Sequence, residues 1–221
     1  MTTPTLEAPI REPKPESFLD WFRINSRVVG AAVAVVVAVA FGYWFYTRSA
    51  VLKSENADRK LLAAKQSIGS GNMPLAQSDL KKVADQYAGT GAGAEAGMLL
   101  AQLKLDAGDN QGAVAVLSDL SHKVSSGPYA ASIKGLLGDA YIQLGKPADA
   151  AAAYEQAALA TTLPNERALL MSKLGRAWLA AGNTAKARET WESLAAQSTN
   201  PALAAEARLR LGELLATAQK R

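Results

Sequence analysis

Residues 134–164 read KGLLGDAYIQLGKPADAAAAYEQAALATTLP, and this pattern predicts one helical hairpin. Small and apolar residues recur every three or four positions on both sides of the turn Gly145-Lys146-Pro147, which is the spacing of an amphipathic helix. A glycine ends a helix easily, and a proline is favoured in the first turn of the next helix. We therefore expect two antiparallel helices joined by a short turn.

The features of this hairpin recur every 37 residues along the chain. The turn glycine falls at Gly71, Gly108, Gly145 and Gly182. The small residue of the first helix falls at Ala64, Ala101, Gly138, Gly175 and Gly212. The large residue of the second helix falls at Leu80, Leu117, Tyr154 and Trp191. A small residue lets two helices cross closely and a large one fills the space beside it, so this register predicts an all-α array of stacked hairpins.

The two ends of the array depart from this pattern. The last predicted helix, residues 201–220, has no second helix after it, and we interpret it as a cap with a polar outer face. The charged residues of that face are Glu206, Arg208, Arg210 and Glu213. In the first two repeats, Ser67 and Lys104 occupy the position that Tyr141 and Trp178 fill later, so we expect these repeats to be looser.

The segment before the repeats predicts a tail and a membrane span. Residues 1–27 are rich in proline, and we expect them to form a mostly disordered tail. The aromatic cluster at residues 18–22 fits a turn at a membrane surface or a plain flank of the next element. Residues 28–47 contain no charged residue, and twenty helical residues span about 30 Å, the thickness of the bilayer core. No glycine or proline follows before Gly69, so the span is expected to continue into the first helix of a repeat domain at residues 50–221.

The apolar segment has two other interpretations. A cleaved signal peptide would use the A-x-A site at residues 38–40, but the apolar run continues past it into a bulky aromatic cluster. A buried soluble helix would need a cover on every side. Basic residues near the two ends are almost equal in number, so charge leaves the orientation open.

The sequence offers little chemistry for catalysis. It has no cysteine and one histidine, His122, with a formal net charge of +4 spread along the chain. We predict that the protein is not an enzyme and binds no cofactor, metal, nucleic acid or small-molecule substrate. The glycine-rich residues 89–93 lack the lysine of a phosphate-binding loop, and we interpret them as a flexible joint.

Parts of this sequence resemble two known families. Residues 137–157 and 174–191 resemble tetratricopeptide repeats at nearly every signature position, although the period is 37 and not 34. A short tail, one anchor helix and about four such repeats together resemble the bacterial ancillary SecYEG translocon subunit family (YfgM-like). This resemblance implies an inner-membrane protein with a cytoplasmic N-terminus and periplasmic repeats. It also implies translocon subunits and periplasmic chaperones as partners, while an envelope scaffold for cell division or cytochrome assembly is the alternative.

The tetratricopeptide resemblance implies a concave protein-binding face on the first helices. The family's groove positions correspond here to Glu95, Met98, Gln102, Leu105, Ser132, Asp139, Ile142, Gln143, Leu169, Ser172, Arg176 and Leu179. The positions that hold a lysine–asparagine clamp in some arrays carry Gly135 and Asp139, then Ser172 and Arg176. The resemblance therefore implies a partly apolar groove for polypeptide segments without that clamp.

The anchor and signal-peptide readings make different predictions for the mass of the mature protein. We expect intact mass spectrometry of the membrane-extracted protein to show the full N-terminal tail. A mass that corresponds to cleavage after Ala40 would contradict the anchor and favour a secreted repeat protein.

Overall fold

The computed structural model describes residues 26–197 and 200–218, and every regular element in these ranges is an α-helix. In chain order the helices are α1 (Ser26–Gly69), α2 (Met73–Gln86), α3 (Gly91–Asp106), α4 (Asn110–Lys123), α5 (Ala130–Gln143), α6 (Pro147–Ala160), α7 (Pro164–Ala180), α8 (Thr184–Gln197) and α9 (Pro201–Ala218). The predicted tail up to residue 25, with its aromatic cluster, and the last two residues of the predicted cap lie outside the described residues.

Helix α1 contains both the apolar segment and the first helix of the array. The chain divides within this helix into two compact units, one ending at Ala50 and the other beginning at Val51. In the first unit the large apolar side chains face outward, and Val28, Trp44 and Tyr46 are each more than half exposed. Helix α1 is long and apolar enough to cross a membrane.

In the second unit each helix from α2 onward packs against the next one in the chain. The first helices of adjacent repeats also touch, as α3 touches α5 and α7 touches α9. Its buried apolar residues form four clusters among the described residues, and each cluster joins residues of consecutive helices. This is the nearest-neighbour packing of a helical solenoid, where each hairpin is stabilised by the hairpins beside it.

The four turn glycines all adopt the left-handed conformation that the 37-residue register predicts. Gly71, Gly108, Gly145 and Gly182 have φ between 73° and 77°. At Gly145 the amide donates to the Ile142 carbonyl at 3.0 Å, and the next amide donates to the Tyr141 carbonyl at 2.8 Å. This pair of bonds is the Schellman arrangement that ends a helix, and it recurs at the other three glycines.

The two helices of each hairpin cross at the predicted small residue, and the size of that residue follows the size of its partner. In the first two hairpins Ala64 and Ala101 are fully buried, and the corresponding second helices carry Leu80 and Leu117. In the last two hairpins the small residue is glycine and the partner is Tyr154 or Trp191. A Cβ on Gly138 would lie 2.5 Å from Cε1 of Tyr154, so the ring occupies the place of the missing methyl group.

The glycine-rich stretch before α3 differs from the expected flexible joint. Gly91 is the first residue of α3, and the Thr90 hydroxyl accepts a hydrogen bond from the Gly93 amide at 3.1 Å. A Cβ on Gly93 would collide with the Tyr87 backbone carbonyl. These glycines therefore permit a close approach between the end of one hairpin and the start of the next.

The outer face of α9 is only partly polar. Arg210 pairs with Glu213 at 3.0 Å, and Arg208 is exposed. On the same helix Leu209 is 62% exposed and Leu215 is 56% exposed. Helix α9 thus occupies the position of a cap but keeps an apolar surface on its outer side.

The crossing geometry predicts the effect of adding one methyl group. Gly138→Ala should destabilise the array by about 1–3 kcal/mol, because the new Cβ would overlap the buried ring of Tyr154. Gly212→Ala is the matched control, because a Cβ there would meet nothing within 4 Å. It should be neutral or stabilising by up to about 1 kcal/mol through helix propensity.

Chemical unfolding followed by circular dichroism measures both changes. Equal effects of the two substitutions would contradict the proposed crossing at Gly138.

Candidate protein-binding face

The N-terminal part of the expected face is occupied by pairs within the array. Glu95 forms an ion pair with Lys65 at 2.6 Å, and Gln102 donates to Asp106 at 2.8 Å within α3. Met98 is half-buried and packs against the core cluster of α3, α4 and α5. This region offers few polar groups that are not already used.

Two of the expected face residues are buried. Leu105 is 6% exposed and belongs to the core cluster that also contains Leu117. Ser172 is 1% exposed, and its hydroxyl donates to Oε2 of Glu206 on α9 at 3.1 Å. Their side chains stabilise the packing between helices and are not available to a partner.

The C-terminal part of the face is built around Asp139 on α5. Oδ1 of Asp139 accepts a hydrogen bond from the Tyr154 hydroxyl at 2.6 Å. Both carboxylate oxygens accept from Nζ of Lys173 on α7 at 2.8 Å. The same ammonium group lies 5.7 Å from the centre of the Tyr154 ring. Three helices therefore meet at one carboxylate.

A shallow cavity of about 350 Å³ lies beside this cluster. Its lining residues are Asp139, Ile142, Tyr154, Lys173, Arg176, Ala177 and Ala180. Asp139 is already paired with Lys173, and among the described residues no carboxylate forms an ion pair with Arg176, which lines the cavity together with Ile142. The cavity thus combines an apolar wall with one cation, which suits a polypeptide segment that carries an acidic group.

The remaining expected residues are exposed but do not line this cavity. Leu169 and Leu179 on α7 are each more than two-fifths exposed, and Gln143 is exposed at the end of α5. Ser132 on α5 is also exposed, and its hydroxyl donates to Glu166 at 3.4 Å. The structure therefore brings together Asp139, Ile142 and Arg176 and leaves the other residues spread along the helices.

Lys173 and Tyr154 are the two polar cavity residues that the groove positions do not include. Lys173 follows Asp139 by 34 residues, and the same separation joins Ser132 to Glu166 and Ser172 to Glu206. This separation of 34 residues is shorter than the 37-residue repeat by about one helical turn. It is the offset at which side chains on neighbouring first helices face each other. A search for polar pairs at this separation finds Lys173 in the sequence once the structure has given the displacement between the helices.

Tyr154 takes part in both the core and the cavity. Its side chain is 3% exposed, and burial together with the hydrogen bond to Asp139 raises the pKa of its hydroxyl well above the usual value of 10.0. The phenol is therefore neutral at physiological pH and donates its proton to the carboxylate.

A second cavity of about 210 Å³ lies between α2, α3 and α4. Its rim holds Lys81 and Asp85, paired at 2.8 Å, and Asp119 and Lys123, paired at 2.6 Å. The hydrogen bond from Lys81 lowers the pKa of Asp85, and the hydrogen bond to Asp119 raises the pKa of Lys123. Because these charges neutralise one another, this cavity offers less to a charged partner than the one at Asp139.

Within residues 26–197 and 200–218 no three or more His, Asp or Glu side chains are grouped to hold a metal ion. The arrangement at Asp139 contains an ion pair and a neutral phenol, which suit binding and orientation.

Comparison with protein families agrees with the repeat architecture. A family model described as a tetratricopeptide repeat-like domain matches residues 20–126 and 59–177, and a tetratricopeptide repeat model matches residues 172–221. None of the curated proteins is significantly similar to this sequence.

Solved structures share the fold at low sequence identity. The kinesin light chain-like TPR repeats of Podosopora anserina are 22% identical, with a TM-score of 0.56, over 75% of this chain and 88% of that one. PilF of Pseudomonas aeruginosa is 20% identical, with a TM-score of 0.55, over 76% and 71%. BtubC of P. vanneervenii is 16% identical, with a TM-score of 0.57, over 88% and 84%.

The raised pKa of Tyr154 predicts a loss of stability at high pH. The folded state keeps the phenol neutral, so its contribution is complete below the unfolded pKa of about 10 and is lost as the pH rises above it. Tyr154→Phe keeps the ring against Gly138 but has no proton to lose. We expect the stability advantage of the unmodified protein over this variant to shrink between pH 9 and pH 11.

Chemical unfolding at several pH values measures this difference. A constant difference across the range would show that the Tyr154 hydroxyl is not held neutral by the fold.

Proposed function

Because the chain belongs to the tetratricopeptide repeat-like domain family, we propose that it is a membrane-tethered protein-interaction module. The observation that carries this proposal is the cavity between α5 and α7, where Arg176 and Ile142 offer a cation and an apolar surface side by side. Such a groove suits an extended or helical segment of another protein at modest affinity. This role needs no cofactor, substrate or catalytic group.

The apolar part of α1 supplies the tether in this proposal. Its outward-facing valine and aromatic side chains form a surface that lipid would cover. Confinement to a membrane raises the effective concentration of the repeats near other membrane proteins. A groove of modest affinity is then sufficient.

We further propose that the module is an ancillary subunit of the Sec translocon in the bacterial inner membrane and links it to periplasmic chaperones. In this arrangement residues 1–27 are cytoplasmic, residues 28–47 span the membrane and residues 50–221 are periplasmic. What supports it is the combination of one apolar helix near the N-terminus with a following array of repeats. An envelope scaffold for cell division or cytochrome assembly has the same architecture, so partner identity distinguishes the two.

Site-directed photocrosslinking in membranes tests the binding face. A photoreactive residue at Ile142 or Arg176 should crosslink translocon subunits or periplasmic chaperones. Leu159 on α6 is the matched control position, because it is 80% exposed but does not line the cavity. We expect at least a fivefold weaker crosslink from Leu159.

The identity of the crosslinked proteins separates the alternatives. Division or cytochrome-assembly proteins would favour the envelope scaffold, and exclusively cytoplasmic proteins would contradict a periplasmic array. Protease accessibility of the repeats in spheroplasts gives an independent measure of their compartment.

A further inference from the structure

Helix α9 carries the residue pattern of a first helix. Leu211 and Gly212 occupy the register positions of Leu174 and Gly175, and Leu215 occupies that of Trp178. On its inner side α9 packs against α8 through Ala207 and Leu214. The sequence of α9 therefore has the features of the first half of another hairpin, and α9 is the last helix among the described residues.

In the two preceding hairpins an aromatic ring packs against the glycine of this pattern, whereas the equivalent glycine of α9 has no such contact. At Gly138 and Gly175 a Cβ would collide with the rings of Tyr154 and Trp191. At Gly212 a Cβ would meet no heavy atom within 4 Å. The leucines three residues before and after it, Leu209 and Leu215, are more than half exposed. The result is a notch in the helix surface between two apolar side chains.

We propose that this notch on α9 binds an amphipathic helix of a partner protein that places an aromatic side chain over Gly212. The surface is distinct from the cavity at Asp139 and extends the array at its end. The continuity of the solenoid packing supports this proposal, because both equivalent glycines in this chain contact a helix with a central aromatic residue. A glycine at this position leaves room for an aromatic ring, whereas an alanine faces a leucine in the first two hairpins.

The covered copies also define the chemistry of the helix that would bind. In α6 the residues four before and three after Tyr154 are Ala150 and Ala157, and both are fully buried. In α8 the equivalent residues around Trp191 are Ala187 and Leu194. The partner helix should therefore have a small residue, an aromatic residue and a small or aliphatic residue at this spacing, with a polar opposite face.

A second copy of α9 fits the notch less well. Its own exposed residues, Leu209, Gly212 and Leu215, include no aromatic side chain. Self-association is therefore treated as a competing outcome of the experiment.

The probe is a helix-stapled, fluorescein-labelled peptide with the sequence of α8, TAKARETWESLAAQ. Its binding to the full-length protein in nanodiscs is followed by fluorescence anisotropy. We expect saturable binding that weakens at least about tenfold when the tryptophan of the peptide is replaced by alanine, as for an aromatic anchor in an interface.

Two variants of the protein locate the binding site. Gly212→Leu should abolish binding, because its side chain fills the notch in open space and leaves the fold intact. Gly69→Leu is the matched control, because Gly69 is also a helical glycine with nothing within 4 Å of a Cβ, and binding should be unchanged. Circular dichroism checks that both variants are folded, and Leu209→Glu with Leu215→Glu replaces Gly212→Leu if that variant is not.

Three results would overturn the proposal. The first is no binding at peptide concentrations up to about 1 mM, the upper end of weak specific affinities. The second is equal binding by the notch variant and the unmodified protein, which would place the peptide elsewhere. The third is a dimer of the unmodified protein, seen by native mass spectrometry, that disappears in Gly212→Leu and would assign the notch to a second copy.

Discussion

The close crossing of two helices at one small residue is the contact on which the array depends. Each hairpin can bury its apolar side only if the second helix approaches the first, and the side chain at the crossing sets that distance. Alanine faces leucine in the first two hairpins, and glycine faces tyrosine or tryptophan in the last two. A smaller side chain at the crossing on the first helix is matched by a larger side chain on the second helix. The repeat therefore keeps its geometry although its residues change.

Tyr154 connects this packing to the proposed binding face. Its ring fills the space at Gly138, and its hydroxyl donates to Asp139 at the wall of the cavity. Asp139 in turn accepts from Lys173 of the next repeat, so one side chain links the crossing within a hairpin to the contact between hairpins. A partner bound beside Arg176 would rest on groups whose positions are fixed by the core.

The sequence was sufficient for the elements that depend on local chemistry and insufficient for those that depend on the offset between helices. The turn glycines and the small residues could be predicted because glycine is needed for a positive φ and for a close crossing. The groove positions included Leu105 and Ser172, which are buried, and omitted Lys173. Which residues of neighbouring first helices meet depends on their relative displacement, and a 37-residue register alone does not contain it.

Uncovered apolar surface is the physical problem at both ends of the described chain. In α1 the valines and aromatic residues are exposed on every side, and a bilayer is a cover that needs no particular shape. On α9 the apolar surface is narrow, has a notch at Gly212 and is bordered by charged residues. A helix with one aromatic side chain matches such a surface, since α6 and α8 already place a ring at the equivalent glycines. The broad apolar surface of α1 therefore indicates a lipid environment, and the narrow notched surface of α9 indicates a partner helix.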